Sequence, residues 1–167
     1  YIGGSKIFSS DHDCKIVSYY KNPDSMPVIV STGTNFNAAV TVSPAYITFD
    51  GLHFKSSNNS GLVNVIVLYE PQSTNFTLRN CIFTSKTDSI MDCAIDASFA
   101  QDSIVIENCI FNNIGAGGAS GTQAIYMKSN LGTGIMYGSR IVNNTFYRCD
   151  RAIKFYNNGA NDYISDD

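Results

Sequence analysis

Hydrophobic and polar residues alternate along this chain in a short pattern that recurs four times. The stretches FTLRNCIFTS (76–85) and IVIENCIFNN (104–113) share an Asn-Cys-Ile-Phe centre, and ITFDGLHF (47–54) and SRIVNNTF (139–146) follow the same pattern. The aromatic residues that close the pattern are separated by 83−54 = 29, 111−83 = 28 and 146−111 = 35 residues. A period between about 20 and 50 residues is typical of solenoids and propellers, whose repeats stack to bury one core.

A second alternating pattern keeps the same rhythm between the first stretches. Its copies are NVIVLYE (64–70), CAIDAS (93–98), QAIYMKS (123–129) and RAIKFYN (151–157). Both patterns alternate over about four to six positions, which is the period of a strand with one buried face and not of a helix. We therefore predict an all-β fold with at least two short strands in every repeat.

Two columns of equivalent residues are predicted to be structural. Three copies of the first pattern carry an Asn after the first strand, and Asn tolerates the left-handed backbone of a sharp corner. Gly51 holds that place in the first copy and meets the same demand more easily. The Phe that closes each copy is predicted to stack on its equivalents in the core. The corner residues are Asn80, Asn108 and Asn143, and the stacking residues are Phe54, Phe83, Phe111 and Phe146.

Composition bounds the class of protein. The 167 residues are 44% hydrophobic and 15% charged, which predicts one globular domain over 1–167. Within it we expect irregular strands over 1–45, regular repeats over 46–158, and the start of a further repeat over 159–167. The net charge of −3 gives no basic surface for nucleic acid. No apolar run approaches the roughly 18 residues that a membrane span needs.

The pattern Φ-x-Φ-x-Asn-x-x-Phe followed by Ala-Ile-x-Φ, where Φ is apolar, resembles the coil repeat of right-handed parallel β-helix proteins, the pectate-lyase-like superfamily. The resemblance covers residues 47–157. It implies a right-handed parallel β-helix of about four to six coils, spaced about 4.8 Å apart. We expect the chain to belong to a longer solenoid or to stack end to end. The residues expected to point inward are Ile47, Phe49, Phe76, Leu78, Ile104, Ile106 and Ile141.

Equivalent positions also predict contacts between neighbouring repeats. Arg79 and Glu107 share one position and are predicted to form an ion pair, and Asp96 is predicted to share an outward column with Tyr126 and Lys154. The cysteines include one such set as well. Of five, Cys81 and Cys109 hold the same position, where both a disulfide and a pair of buried thiols would fit. The other three show no CxxC spacing, so no metal site is predicted.

One segment carries candidate chemistry. QAIYMKSN (123–130) is similar to a Glu-x-x-x-x-Lys-Ser segment of polysaccharide lyase family six, in which the Lys acts as the base. The resemblance implies that Lys128 would abstract the proton beside a uronate carboxylate. RAIKFYNN (151–158) stands where that family has an Arg-His motif, and Arg148, Arg151 and Lys154 are near enough in sequence to neutralise the carboxylate in its place. It also implies a Ca²⁺ cofactor if the chain is a lyase, although Gln123 stands where that family has a calcium-binding Glu.

Two functions from different classes follow from these patterns. The first is a non-catalytic, extracellular or cell-surface module, such as an adhesin, fibre or filament component, in which Tyr126, Tyr137 and Tyr156 would stack on the sugar rings of a glycan. The alternative is a polysaccharide lyase or glycoside hydrolase acting on acidic polysaccharide. An enzyme needs several carboxylates that converge on one face, whereas these columns hold scattered acids. The first function is therefore favoured.

Overall fold

Short strands separated by sharp corners make up the described structure. The computed structural model describes residues 6–19, 22–31, 40–56, 63–68, 75–85, 91–97, 103–115, 122–129 and 138–157. Helical structure in these ranges is confined to one 3₁₀ turn, Pro23–Ser25. No helix within them is long and apolar enough to cross a membrane. The chain is therefore all-β over the part that the structure describes, as its alternating pattern predicts.

The described ranges contain 14 strands. They are β1 (Lys6–Val17), β2 (Val28–Ser31), β3 (Val40–Asp50), β4 (His53–Ser56), β5 (Val63–Leu68), β6 (Thr77–Arg79), β7 (Ile82–Ser85), β8 (Met91–Ala97), β9 (Val105–Glu107), β10 (Ile110–Asn112), β11 (Gln123–Ser129), β12 (Arg140–Val142), β13 (Thr145–Tyr147) and β14 (Ile153–Asn157). From β6 onward they fall into sets of three: β6 to β8, β9 to β11 and β12 to β14.

Every pairing between the described strands is parallel and joins a strand to its counterpart in a neighbouring repeat. The five-stranded sheet has the order β13-β10-β7-β4-β2. The nine-stranded sheet has the order β12-β9-β6-β3-β5-β8-β11-β14, and β1 also pairs with β3. The long strand β3 joins two series, because its start pairs with β5 and its end pairs with β6.

The core is built from columns of equivalent side chains. Phe54, Phe83, Phe111 and Phe146 are register partners in the five-stranded sheet. Their rings stack nearly parallel, with centroids 4.8, 5.0 and 5.0 Å apart and interplanar angles of 9–10°. Of the residues expected to point inward, six are fully buried and Ile141 is half-buried against the same core.

The corner after the first strand of each repeat has a left-handed backbone. The φ angles of Asn80, Asn108 and Asn143 are 54°, 55° and 54°, and that of Gly51 is 72°. The backbone N–H groups of Gly51, Asn80 and Asn108 each donate to a carbonyl of the next repeat at 3.1–3.2 Å. The corner therefore turns the chain without interrupting the hydrogen bonds between repeats, which a buried backbone requires.

Two further sets of corners were not predicted. Asn75, Ser103 and Gly138 have φ angles of 60°, 59° and 69° just before β6, β9 and β12. Asn113 and Arg148 have φ angles of 59° and 52° just after β10 and β13. Ser and Arg rarely adopt this conformation, so the residue types at these corners give little signal in the sequence.

Replacing the central ring of the Phe stack tests the core. We expect Phe83→Ala to lower the free energy of unfolding by about 4 kcal/mol, because it empties a site packed between two rings. Phe155→Ala is the matched control: Phe155 is 53% exposed, and its loss should cost about 1 kcal/mol or less. Urea-induced unfolding followed by circular dichroism measures both. Equal losses in the two variants would contradict a core centred on the stack.

Replacing a corner Asn tests the left-handed backbone. We expect Asn108→Ala to lower the free energy of unfolding by about 1 kcal/mol, because a Cβ without a local polar group is disfavoured at positive φ. Asn108→Gly should change it by less than about 0.5 kcal/mol, since Gly adopts this conformation without steric cost. The same urea titration compares them, and an Ala variant as stable as the Gly variant would rule out the proposed cause.

Candidate functional site

The outer face of the β5, β8, β11 and β14 series carries the candidate site. Along β11, Ile125 and Met127 are buried in the core, while Tyr126 and Lys128, which alternate with them, are partly exposed. This alternation follows from the pleat of a strand, which sends successive side chains to opposite faces. Three of the residues singled out from the sequence, Tyr126, Lys128 and Tyr156, therefore share one surface with Lys154.

These four residues alternate in type in both directions of the sheet. Tyr126 is the register partner of Lys154, and Lys128 is the register partner of Tyr156. The Lys154 ammonium nitrogen lies 5.2 Å from the centroid of the Tyr126 ring, and that of Lys128 lies 5.6 Å from the centroid of the Tyr156 ring. Both distances are within the range of cation–π attraction. We call this group (Tyr126, Lys128, Lys154 and Tyr156) the Tyr–Lys patch.

A carboxylate borders the Tyr–Lys patch on β8. Asp96 is the register partner of Tyr126, so the predicted column of Asp96, Tyr126 and Lys154 is present. The Asp96 carboxylate accepts a hydrogen bond from the Asn64 side-chain amide at 2.8 Å. Burial raises the pKa of the Tyr126 hydroxyl, and the nearby Asp96 and Tyr156 raise it further. Tyr126 therefore stays a neutral hydrogen-bond donor well above physiological pH.

The three predicted catalytic residues are not brought together. Arg151 precedes β14, and it lies 156−151 = 5 residues before Tyr156, the register partner of Lys128. At about 3.3 Å per residue, this is roughly 16 Å along the sheet from Lys128. Arg148 lies at the corner after β13, in the other sheet, with its guanidinium 5.2 Å from the centroid of the Tyr147 ring. Neither Arg is placed to neutralise a carboxylate held at Lys128.

The residues near the start of β11 do not fit a Ca²⁺ site. Gln123 is buried, and its Oε1 atom has no hydrogen-bond partner. It offers one neutral oxygen, whereas Ca²⁺ takes six to eight oxygen ligands, usually with several carboxylates among them. No group of three or more His, Cys, Asp or Glu residues suited to a metal occurs among the described residues. The predicted glycan-binding residue Tyr137 lies outside the described ranges.

The predicted ion pair between Arg79 and Glu107 is wrong. Arg79 Nε instead donates to Asp50 Oδ2 at 2.9 Å, and Glu107 accepts from Arg140 Nη2 at 2.8 Å. The Asp50 carboxylate also accepts a hydrogen bond from the Asn80 side-chain amide at 2.8 Å. Its two oxygens are therefore bound by two different donors, Arg79 and Asn80. Arg79 and Glu107 are register partners, but Asp50 is the register partner of Arg79 on its other side. A long Arg side chain can reach either neighbouring strand, and here it binds Asp50.

A polar contact on the five-stranded sheet was not predicted. The His53 Nε2 atom lies 2.9 Å from the Thr84 hydroxyl oxygen, one strand away. Burial lowers the pKa of His53, and the positive charge of Lys55 lowers it further. Because His53 and Thr84 are unlike residues at different repeat positions, repetition in the sequence gave no sign of the contact.

Comparison with known proteins adds no relative. No family model matches the chain. No curated protein and no solved structure matches it at a significant level.

The pKa of His53 is open to direct measurement by NMR. We expect it to lie below the 6.5 of an ordinary His, and Lys55→Gln should raise it because a nearby positive charge is lost. Since the folded pKa is the lower one, the stability from neutral His53 is complete above pH 6.5 and is lost as the pH falls through the folded value. The chain has two His, so His53→Gln assigns the resonance. A pKa at or above 6.5, or one unmoved by Lys55→Gln, would refute this.

Proposed function

We propose that this chain is a non-catalytic, right-handed parallel β-helical module that contacts glycans through the Tyr–Lys patch. The all-parallel pairing of strands from successive repeats supports the β-helix. The stacked Phe column supports it too, because a ring 5.0 Å from each neighbour matches one strand spacing. The right hand follows from the general handedness of parallel crossovers and from the resemblance of the repeat.

The Tyr–Lys patch carries the functional part of the proposal. Tyr rings present a flat apolar face and a polar edge, which suits the apolar faces and the hydroxyls of a sugar. The Lys ammonium groups add donors for hydroxyl or acidic oxygens. Each ring is also oriented by the cation beside it, so little side-chain freedom would be lost on binding. Tyr156 is 45% exposed and therefore open to a ligand.

The spacing of the two rings favours an extended ligand. Tyr126 and Tyr156 are offset by one strand across the sheet and by two residues along it. With about 4.8 Å between strands and about 3.3 Å per residue, their positions are roughly 8 Å apart. This separation exceeds a single sugar ring, so the two rings would contact different units of one chain. A polysaccharide is therefore a better candidate than a monosaccharide.

The same geometry favours binding over lyase chemistry. Lys128 is engaged with the Tyr156 ring, and the two Arg residues that the lyase hypothesis needs lie elsewhere. Asp96, the carboxylate beside the patch, is held by Asn64. The other cation of the patch, Lys154, faces the Tyr126 ring. Both Lys side chains are therefore engaged with Tyr rings, which favours binding over proton abstraction with a neutralising cation.

An extracellular or cell-surface location and end-to-end stacking belong to the same proposal. Phe155 is the register partner of the buried Met127, yet it is 53% exposed. Ile153 and Phe146, in the same described repeat, are half-buried. Further coils or a second copy laid on this repeat would extend the Phe and Ile columns by the same packing. A stack of such units would present a row of Tyr–Lys patches to a long glycan, with the gain in avidity that multivalency gives.

Affinity electrophoresis tests the patch. Native gels containing polygalacturonate, alginate, xylan or β-glucan should retard the wild-type protein in at least one case. Tyr156→Ala and Tyr126→Ala should each weaken that binding about tenfold, which corresponds to roughly 1.4 kcal/mol. Tyr147→Ala is the matched control, since Tyr147 is 55% exposed and also faces a cation, yet lies in the other sheet.

Two outcomes would overturn the proposal. The first is equal loss of binding in Tyr147→Ala and the patch variants, or no retardation by any of the four polysaccharides. The second is the release of unsaturated uronate from polygalacturonate or alginate, detected by ultraviolet absorbance and abolished by Lys128→Ala. That result would identify a lyase with Lys128 as its base.

A further inference from the structure

Cys81 and Cys109 are placed at equivalent points of successive repeats. Each directly follows a left-handed corner Asn, and the residues on either side are register partners. The Ile110 N–H donates to the Cys81 carbonyl at 2.9 Å, so the two strands are hydrogen-bonded at this point. Parallel neighbours lie about 4.8 Å apart, which falls within the Cα separation of about 4.4–6.8 Å that a disulfide spans.

The two side chains point the same way. Cys81 Sγ lies 3.2 Å from the Arg79 carbonyl oxygen, and Cys109 Sγ lies 3.3 Å from the Glu107 carbonyl oxygen. Because each thiol lies against the carbonyl two residues before it, both leave the backbone in the same direction. The two thiols also interact electrostatically: interaction with the Cys109 side chain lowers the pKa of Cys81, and interaction with the Cys81 side chain raises that of Cys109.

The repeat position of Cys81 and Cys109 is held by other residue types in the neighbouring repeats on both sides. Leu52 holds the equivalent position in the preceding repeat and is buried. Asn144 holds it in the following repeat, where its Oδ1 accepts from the Cys109 N–H at 2.9 Å and its Nδ2 donates to the Ile106 carbonyl at 2.9 Å. Cys93 belongs to a different column, because its register partners are Asn64 and Gln123. Within the described ranges, each of the two thiols therefore has the other as its neighbour in the column.

We propose that Cys81 and Cys109 are a disulfide site that links two successive repeats when the chain meets a small-molecule disulfide. The Cys81 thiolate attacks that disulfide, forms a mixed disulfide and releases one small thiol. Cys109 then loses its proton and attacks the Cys81 sulfur, which releases the second small thiol. Two protein thiols are oxidised, and one small disulfide is reduced to two thiols. Both cysteines are buried in the folded chain, so the exchange takes place during folding or when this corner opens.

Peptide mapping tests the link on the native sequence. The protein is unfolded in urea, refolded in a mixture of glutathione and glutathione disulfide, alkylated, and digested with trypsin and a Glu-specific protease. Cleavage isolates Cys81 in NCIFTSK (80–86) and Cys109 in NCIFNNIGAGGASGTQAIYMK (108–128). We expect these peptides as one cross-linked species that separates on reduction. We also expect the oxidised protein to melt higher than the reduced one, by on the order of 5 °C.

Cys109→Ser and Cys81→Ala serve as controls, and neither should yield the cross-linked species. Three outcomes would overturn the proposal. The first is recovery of the two peptides as separate alkylated thiols from the refolded protein, and the second is a link between Cys81 and a cysteine other than Cys109. A cross-linked protein that melts lower than the reduced protein would show that the bond strains the repeats instead of joining them.

Discussion

Parallel pairing between equivalent residues of successive repeats is the constraint on which the rest of this structure depends. When a strand pairs with its counterpart in the next repeat, equivalent side chains lie side by side, so residues at one repeat position must pack against each other. The Phe residues pack against each other because their rings stack at the strand spacing. The corner after the first strand of each repeat is occupied by Gly51, Asn80, Asn108 or Asn143, all of which tolerate positive φ. The Tyr–Lys patch depends on the same pairing, because it sets each ring beside a cation.

Features that repeat in residue type could be predicted from the sequence, and features that repeat only in geometry could not. The Phe stack and the Asn corners are visible because one chemical solution is used each time. The corners at Ser103 and Arg148 share the same φ as Asn75 and Asn113, but unlike residues adopt it there. The three strands of each repeat agree with the prediction of at least two, although the sequence did not fix their number.

The candidate site was predictable in its columns and not in its contacts. Register alone places Asp96, Tyr126 and Lys154 in line. The same register sets Lys128 beside Tyr156, but the contact of the ammonium group with the ring is seen only in the structure. Arg79 shows the same limit, since register places it between Asp50 and Glu107, and only the structure shows that it pairs with Asp50. Spacing along the chain predicts which residues are neighbours, but it does not show which neighbouring side chain a long residue such as Arg79 binds.

The length of chain between strands has little effect on the core. Phe83 and Phe111 are separated by 28 residues and Phe111 and Phe146 by 35, yet both pairs of rings stack with centroids 5.0 Å apart. Seven additional residues are therefore absorbed between strands without a shift in register. Such tolerance makes the scaffold suitable for engineering, because peptides inserted between strands should leave the register of the paired strands on either side unchanged.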